Sequence, residues 1–279
     1  MENSIKNISI AEGKWLSLLF NYSKEKFTIK PLPSHDHLHH ARVWYYAKQI
    51  LLALADIGEF YSLQEVEAIL IAVFFHDIGM TITREKSHGL ESRKLCEQFF
   101  NAYPALCPVN LDMILKMIEN HDDKEYANLN SSFEKPSVAA ILNIADDLDA
   151  FGNIGVYRYI EIYHFRGIKR EELSLRILPN LETRFQHFEK QLQPLKDVFN
   201  KHHRRFEITR KFFVHLETDL QLKEKLSGPF YRIVQILIDF SDSSEKDVRA
   251  LASNLNDPDI VVNNFFNNLL IELNTSLIN

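Results

Sequence analysis

The sequence predicts an all-α protein, and three observations carry that expectation. Apolar residues recur at helical spacing over nearly the whole chain. Only 8 Gly and 9 Pro punctuate 279 residues, too few for the many turns of a β protein. No glycine-rich loop follows a strand-like run, which leaves the Rossmann and P-loop folds without support. In order, residues 10–30 read as a helix around Trp15, Leu16, Leu18, Leu19 and Phe20, broken by Pro31-Leu32-Pro33. Ser34 is a good cap for a helix of about 20 residues running through His39, Val43, Tyr46, Ile50 and Leu54 to Gly58. Ser62, with Glu65 at the capping-box position, starts a helix over 63–77 that Gly79 stops. Helices follow over 88–101 and, capped by Asn110, over 111–121. The polar stretch 122–135 reads as a surface loop. Pro136 then opens a helix through Ile141, Asp146 and Asp149 that Gly152 closes. The remaining amphipathic segments are 155–165, 180–218, 228–240, 244–254 and 258–273, the last started by Asp257-Pro258.

Composition narrows the function classes. Hydrophobic residues at 46% and charged residues at 25% describe an ordinary soluble globular chain. A net charge of −6 argues against a broad nucleic-acid surface, though not against a small basic pocket. Cys96 and Cys107 form neither a disulfide framework nor a CxxC pair, as in a reducing compartment. No apolar run reaches the length of about 18 residues that a membrane span needs. The start, Met1-Glu2-Asn3-Ser4-Ile5-Lys6, lacks the basic and apolar regions of a secretory signal. Cytoplasmic location is the expectation.

The chemistry concentrates in histidine and aspartate. Ala72-Val73-Phe74-Phe75-His76-Asp77-Ile78-Gly79-Met80 is an apolar run that ends in an adjacent imidazole and carboxylate. Burying such a pair without partners costs several kcal/mol. A divalent metal offsets that cost, because it takes neutral imidazole nitrogen and ionised carboxylate as ligands. Alone, the dipeptide reads more readily as a capped helix end with a salt bridge than as a metal site, and adjacent helical residues diverge by about 100°. Upstream, Ser34-His35-Asp36-His37-Leu38-His39-His40-Ala41-Arg42-Val43 places His35, His39 and Arg42 on one helix face and turns His40 elsewhere. Arg42, one turn beyond His39, would meet an anion held there. Downstream, His88 opens a helix, His121 closes another, and Asp146, Asp147 and Asp149 lie in an apolar setting that disfavours full exposure.

The ordered set His39-x-x-Arg42-Val43, His76-Asp77-Ile78-Gly79, His121 and Ala145-Asp146-x-Leu148-Asp149 resembles the HD-domain superfamily of metal-dependent phosphohydrolases over about residues 34–165. The resemblance implies four core metal ligands, His39, His76, Asp77 and Asp146, the last favoured over Asp147 and Asp149 by its place two residues before the leucine. Members with two metals add histidines that match His88 and His121, with Asp77 as the bridge. Where some of them carry a second histidine straight after the first, this chain has Asp122, whose role stays open. Gly155-Val156-Tyr157-Arg158-Tyr159 resembles the helix after the final aspartate, where an arginine can face substrate phosphate.

The resemblance implies an HD-domain-like helical bundle as the catalytic core over 34–165, and the helical spacing adds an N-terminal helix over 1–33 packing on the core and a helical C-terminal extension over 166–279. The expected activity is hydrolysis of a phosphomonoester or phosphodiester of a small molecule, a nucleotide being the leading candidate. One or two divalent ions (Mn, Fe, Co, Ni, Zn or Mg) would activate water. His76, Asp77 and His121 are the residues assigned to catalysis, and Arg42 and Arg158 to substrate charge. No membrane partner is expected, and a homo-oligomer would form through the C-terminal helices. Two alternatives remain: a di-iron oxygenase using the same six ligands, and a non-enzymatic nucleotide-sensing module. The basic run Lys201-His202-His203-Arg204-Arg205 reads as a solvated helix face.

Overall fold

A computed structural model describes residues 1–122, 135–221, 228–242 and 247–275, and every regular element among them is helical. The predicted loop over 122–135 falls, for 123–134, outside the described residues. Helix contacts divide the chain into two units: Met1–Leu148 with Gln191–Val198, and Asp149–Lys190 with Phe199–Asn279. No helix among the described residues is long and apolar enough to cross a membrane.

In the first unit, α1 (Glu2–Ile29) starts well before residue 10. The polar residues Asn3, Lys6, Asn7 and Ser9 hide its stripe, yet Ser4, Ile8, Ala11, Trp15, Leu19, Ser23 and Phe27 are all buried at spacings of three and four. That face packs on α2 (His37–Asp56) and α3 (Leu63–Phe75). The cap of α2 is Asp36 rather than Ser34. The Asp36 carboxylate accepts from the backbone of Leu38 and His39 at 2.9 and 3.2 Å, while the Ser34 hydroxyl bonds His35 Nδ1 at 2.6 Å. A carboxylate reaches two of the orphan N–H groups at once, so it displaces the serine.

The Ser62–Glu65 capping box of α3 is present in both directions. Every residue from Val66 to Phe75 is buried, so the hydrophobic effect fixes this helix and carries its C-terminal end into the interior. The helix ends earlier than the sequence suggests, at Phe75. His76 keeps helical angles, Asp77 moves to φ −109°, ψ 2°, and a 3-10 turn runs over Ile78–Thr81. Gly79 is therefore not a left-handed stop. It lies within the 3-10 turn because a Cβ there would run into the His88 carbonyl and the Ser92 amide of α4 (His88–Ala102). Its own N–H donates to Ser92 Oγ at 2.8 Å.

A second glycine acts the same way: a Cβ on Gly89 of α4 would sit 2.5 Å from the carbonyl oxygen of Glu119, the last residue of α5 (Leu111–Glu119). Asn110 precedes α5 without capping it and instead donates to the Gln64 carbonyl at 3.3 Å. Before α6 (Val138–Asp149), Ser137 Oγ accepts from Ala140 N at 3.1 Å. The Pro136 carbonyl takes the Tyr61 hydroxyl at 2.6 Å, anchoring the entry to α6 beside α3.

The second unit holds α7 (Gly152–Phe165), most of α8 (Leu173–Leu192) and α9 (Lys196–Gln221), α10 (Pro229–Asp242), α11 (Val248–Asn254) and α12 (Ile260–Thr275). The segment predicted as one helix over 180–218 is two helices that divide at Gln193-Pro194-Leu195, while Pro179 lies inside α8. Gly152, expected to close α6, has φ +86° and opens α7, whose first N–H groups are capped by Glu272 of α12 at 2.9 and 3.2 Å. The basic run is not a plain solvated face. His202 is buried and held neutral by desolvation and by Arg205 beside it, and Arg205 donates to the Phe151 carbonyl at 2.6 Å.

Gly89→Ala separates propensity from packing. In an open helix the change would stabilise by roughly 1 kcal/mol; against the Glu119 carbonyl it should destabilise by about 1–3 kcal/mol. A urea melt of the metal-free chain reads the sign, and an unchanged or raised midpoint would contradict the close approach.

Candidate metal centre

Five elements of the first unit deliver the site. His39 comes from the first turn of α2, His76 and Asp77 from the end of α3, His88 from the first residue of α4, His121 from just beyond α5, and Asp146 from the last turn of α6. Adjacent residues on an α-helix point about 100° apart. His76 and Asp77 converge because Asp77 leaves helical geometry for the sparsely allowed bridge region.

The side chains form two groups. His39 Nε2, His76 Nε2, an Asp77 oxygen and an Asp146 oxygen lie within 4.8 Å of one another, as do Asp77, His88 and His121. In the first, His39 Nε2 is 3.2 Å from His76 Nε2 and 3.5 Å from both Asp77 Oδ2 and Asp146 Oδ1. His76 Nε2 is 3.4 Å from Asp77 Oδ2 and 3.8 Å from Asp146 Oδ1. In the second, Asp77 Oδ1 is 3.3 Å from His88 Nε2 and 3.1 Å from His121 Nε2, and those two nitrogens are 3.1 Å apart. Asp77 thus turns one oxygen to each group. Asp122 Oδ2, 3.4 Å from His88 Nε2, borders the second.

These residues fit a divalent ion on three counts. Ligands held at about 2.0–2.2 Å from one ion stand roughly 3.0–3.6 Å apart when neighbouring, and every separation given above falls in that range except the 3.8 Å between His76 and Asp146. The donors, imidazole nitrogen and carboxylate oxygen, suit Mn, Fe, Co, Ni and Zn better than Mg. Finally, the rings are oriented from behind: the Nδ1 atoms of His76, His88 and His121 bond the carbonyls of Val73, Glu85 and Ile118, each three residues back, at 2.8, 2.9 and 2.7 Å. A ring that donates Nδ1–H to a carbonyl has its Nε2 lone pair free for a metal. Two such bare nitrogens facing each other in a buried site repel unless a cation or proton sits between them.

Without an ion, protons fill that role. Burial opposes the imidazolium, but Asp77 and Asp146 outweigh it and raise His76 to about 10; at His88, Asp77 and Asp122 likewise overcome burial and raise it to about 9. Burial would protonate Asp77, but His76, His121 and His39 hold it well below the usual carboxylate range.

The remaining sequence candidates are placed as follows. Arg42 is buried in α2, one turn beyond His39. Arg158 lies in the second unit, where its Nη1 donates to Asp149 Oδ2 at 3.3 Å, so Asp149 serves an arginine rather than either group. Asp147 is buried and in neither group. His40 turns away from the centre, as its helix position requires, and bonds Ser23 of α1 at 2.8 Å. Desolvation and the neighbouring His76 and His39 keep it neutral. Sequence reasoning took Gly79 for a helix stop and did not find Gly89 and Ser92; together the three dock α4 so that His88 reaches Asp77. No local pattern marks such close approaches.

Metal binding should therefore release protons. His76 and His88 are charged at pH 7 in the metal-free chain and must deprotonate to ligate. Affinity should rise as pH climbs toward 9 and fall as it drops. Calorimetric titration with Mn²⁺ at pH 7 in buffers of different ionisation enthalpy measures the release, and tight binding with no buffer dependence would contradict it.

Comparison with curated proteins and with solved structures returned no match. The family model of the HD domain matches residues 38–150, the span that carries all six residues of the two groups that could hold a metal. Over that span, less than half of the chain, the sequence is similar to the HD domain.

Proposed function

We propose that this protein is a metal-dependent phosphohydrolase that cleaves a phosphomonoester or phosphodiester of a small molecule, a nucleotide foremost, with two divalent ions. The observation that carries the reading is the division of Asp77: one oxygen faces His39 and His76, the other His88 and His121. Divalent ions held there would polarise phosphoryl oxygens and bring the pKa of water from 15.7 toward about 7. The chain's own part is preorganisation. The three Nδ1 bonds fix the imidazoles, so no reorganisation is needed as charge develops. His76, Asp77 and His121 are the residues assigned to the reacting centre. Asp146 completes the more buried group, and Arg42 is the cation of this unit assigned to substrate phosphate. No protein base need be strong, since the pKa of water is lowered in place.

The test is a panel of phosphate esters, nucleotides among them, with protein loaded in turn with Mn²⁺, Co²⁺, Ni²⁺, Zn²⁺ or Mg²⁺. Release of phosphate or of a monoester, abolished by chelation and restored by metal, is the expected result. Inactivity on every ester with metal shown to be bound would count against the proposal. Turnover that requires O₂ and tightly bound iron would replace it with oxygenase chemistry.

A further inference from the structure

We infer that Asp122 is a ligand of the second group, giving it the donors of the first: two imidazoles and a carboxylate of its own beside the shared Asp77. The inference rests on the two-ion reading above. Around His88 Nε2 stand His121 Nε2 at 3.1 Å, Asp77 Oδ1 at 3.3 Å and Asp122 Oδ2 at 3.4 Å. All three separations from His88 suit ligands that share an ion with bonds of about 2.0–2.2 Å; Asp77, His88 and His121 lie within 4.8 Å of one another, and Asp122 meets that set through His88, so it would complete the group by a turn of its exposed side chain. The first group already shows the same composition, in which Asp146 Oδ1 lies 3.5 Å from His39 Nε2 while Asp77 Oδ2 serves both histidines.

Position supports the assignment independently. Helix α5 ends at Glu119, so Asp122 lies just past a helix C-terminus, where the partial negative charge of the exposed carbonyls disfavours a carboxylate. A cation between Asp122 and His88 removes that conflict. The side chain is 44% exposed, whereas those of His88 and His121 are 3% and 2% exposed. Asp122 therefore closes the second group from the solvent side, over rings fixed from behind.

Two consequences follow. With Asp77, Asp122 and Asp146 ionised, two divalent ions leave the centre one positive charge rather than two. The added oxygen donor also makes the second group harder than a histidine there would, favouring Mn²⁺ over Zn²⁺ or Ni²⁺.

Stepwise Mn²⁺ binding, followed by calorimetry and by the electron-paramagnetic-resonance signal of an exchange-coupled Mn pair, tests this on the full chain. Wild type should bind two ions and show the pair signal. Asp122→Asn should leave the first step unchanged, weaken the second at least about tenfold and lose the pair signal. Asp122→His should recover the second step with its preference moved toward Zn²⁺. If Asp122→Asn binds its second Mn²⁺ as tightly as wild type and keeps the pair signal, Asp122 is no ligand and the inference fails while the two-ion reading stands. If wild type binds no Mn²⁺, the two-ion reading fails with it.

Discussion

One carboxylate organises the first unit. Asp77 is almost fully buried, yet it stays ionised because four imidazole nitrogens lie within 3.5 Å of its oxygens. A lone buried carboxylate would protonate or destabilise the fold by several kcal/mol. Here its position is imposed by α3, whose wholly buried run drives whatever follows Phe75 into the interior. The rest of the unit can be read as the means by which other elements bring neutralising groups to that point: α2 supplies His39, α4 supplies His88, the end of α5 supplies His121, and α6 supplies Asp146 beside the first pair of rings.

The two groups differ in how they are built. His39 and His76 sit on long helices held by apolar packing against α1, and both are fully buried. The second group depends instead on two backbone approaches, Gly79 against α4 and Gly89 against the Glu119 carbonyl. Small side chains at those points set how near His88 and His121 come to Asp77. On the two-ion reading, the first ion is enclosed and the second lies toward solvent beside Asp122, so the second should load and leave more readily.

Much of this was legible in the sequence because it is local. The capping box at Ser62 and Glu65, the apolar run into His76-Asp77 and the order of the histidines are all short-range patterns, and each helix that carries a candidate ligand was anticipated. What was not legible depends on distant atoms. Gly79 looks like a helix stop by local rules, yet its role is set by α4. Asp36 outcompetes Ser34 as a cap only because its two N–H targets are in reach, and Glu272 caps α7 from more than a hundred residues away. The helix break at Pro194 was missed because the charged amphipathic pattern continues across it, although Pro179 lies within α8 without ending it. Three imidazoles use the same carbonyl three residues back, a regularity visible only once their helix ends are known.

The central claim is that Asp77 joins two ions. Elemental analysis of purified wild type, Asp77→Ala and His88→Ala tests it most directly. The account predicts two ions per chain in wild type, one in His88→Ala and none retained in Asp77→Ala. Equal metal content in wild type and Asp77→Ala would contradict it.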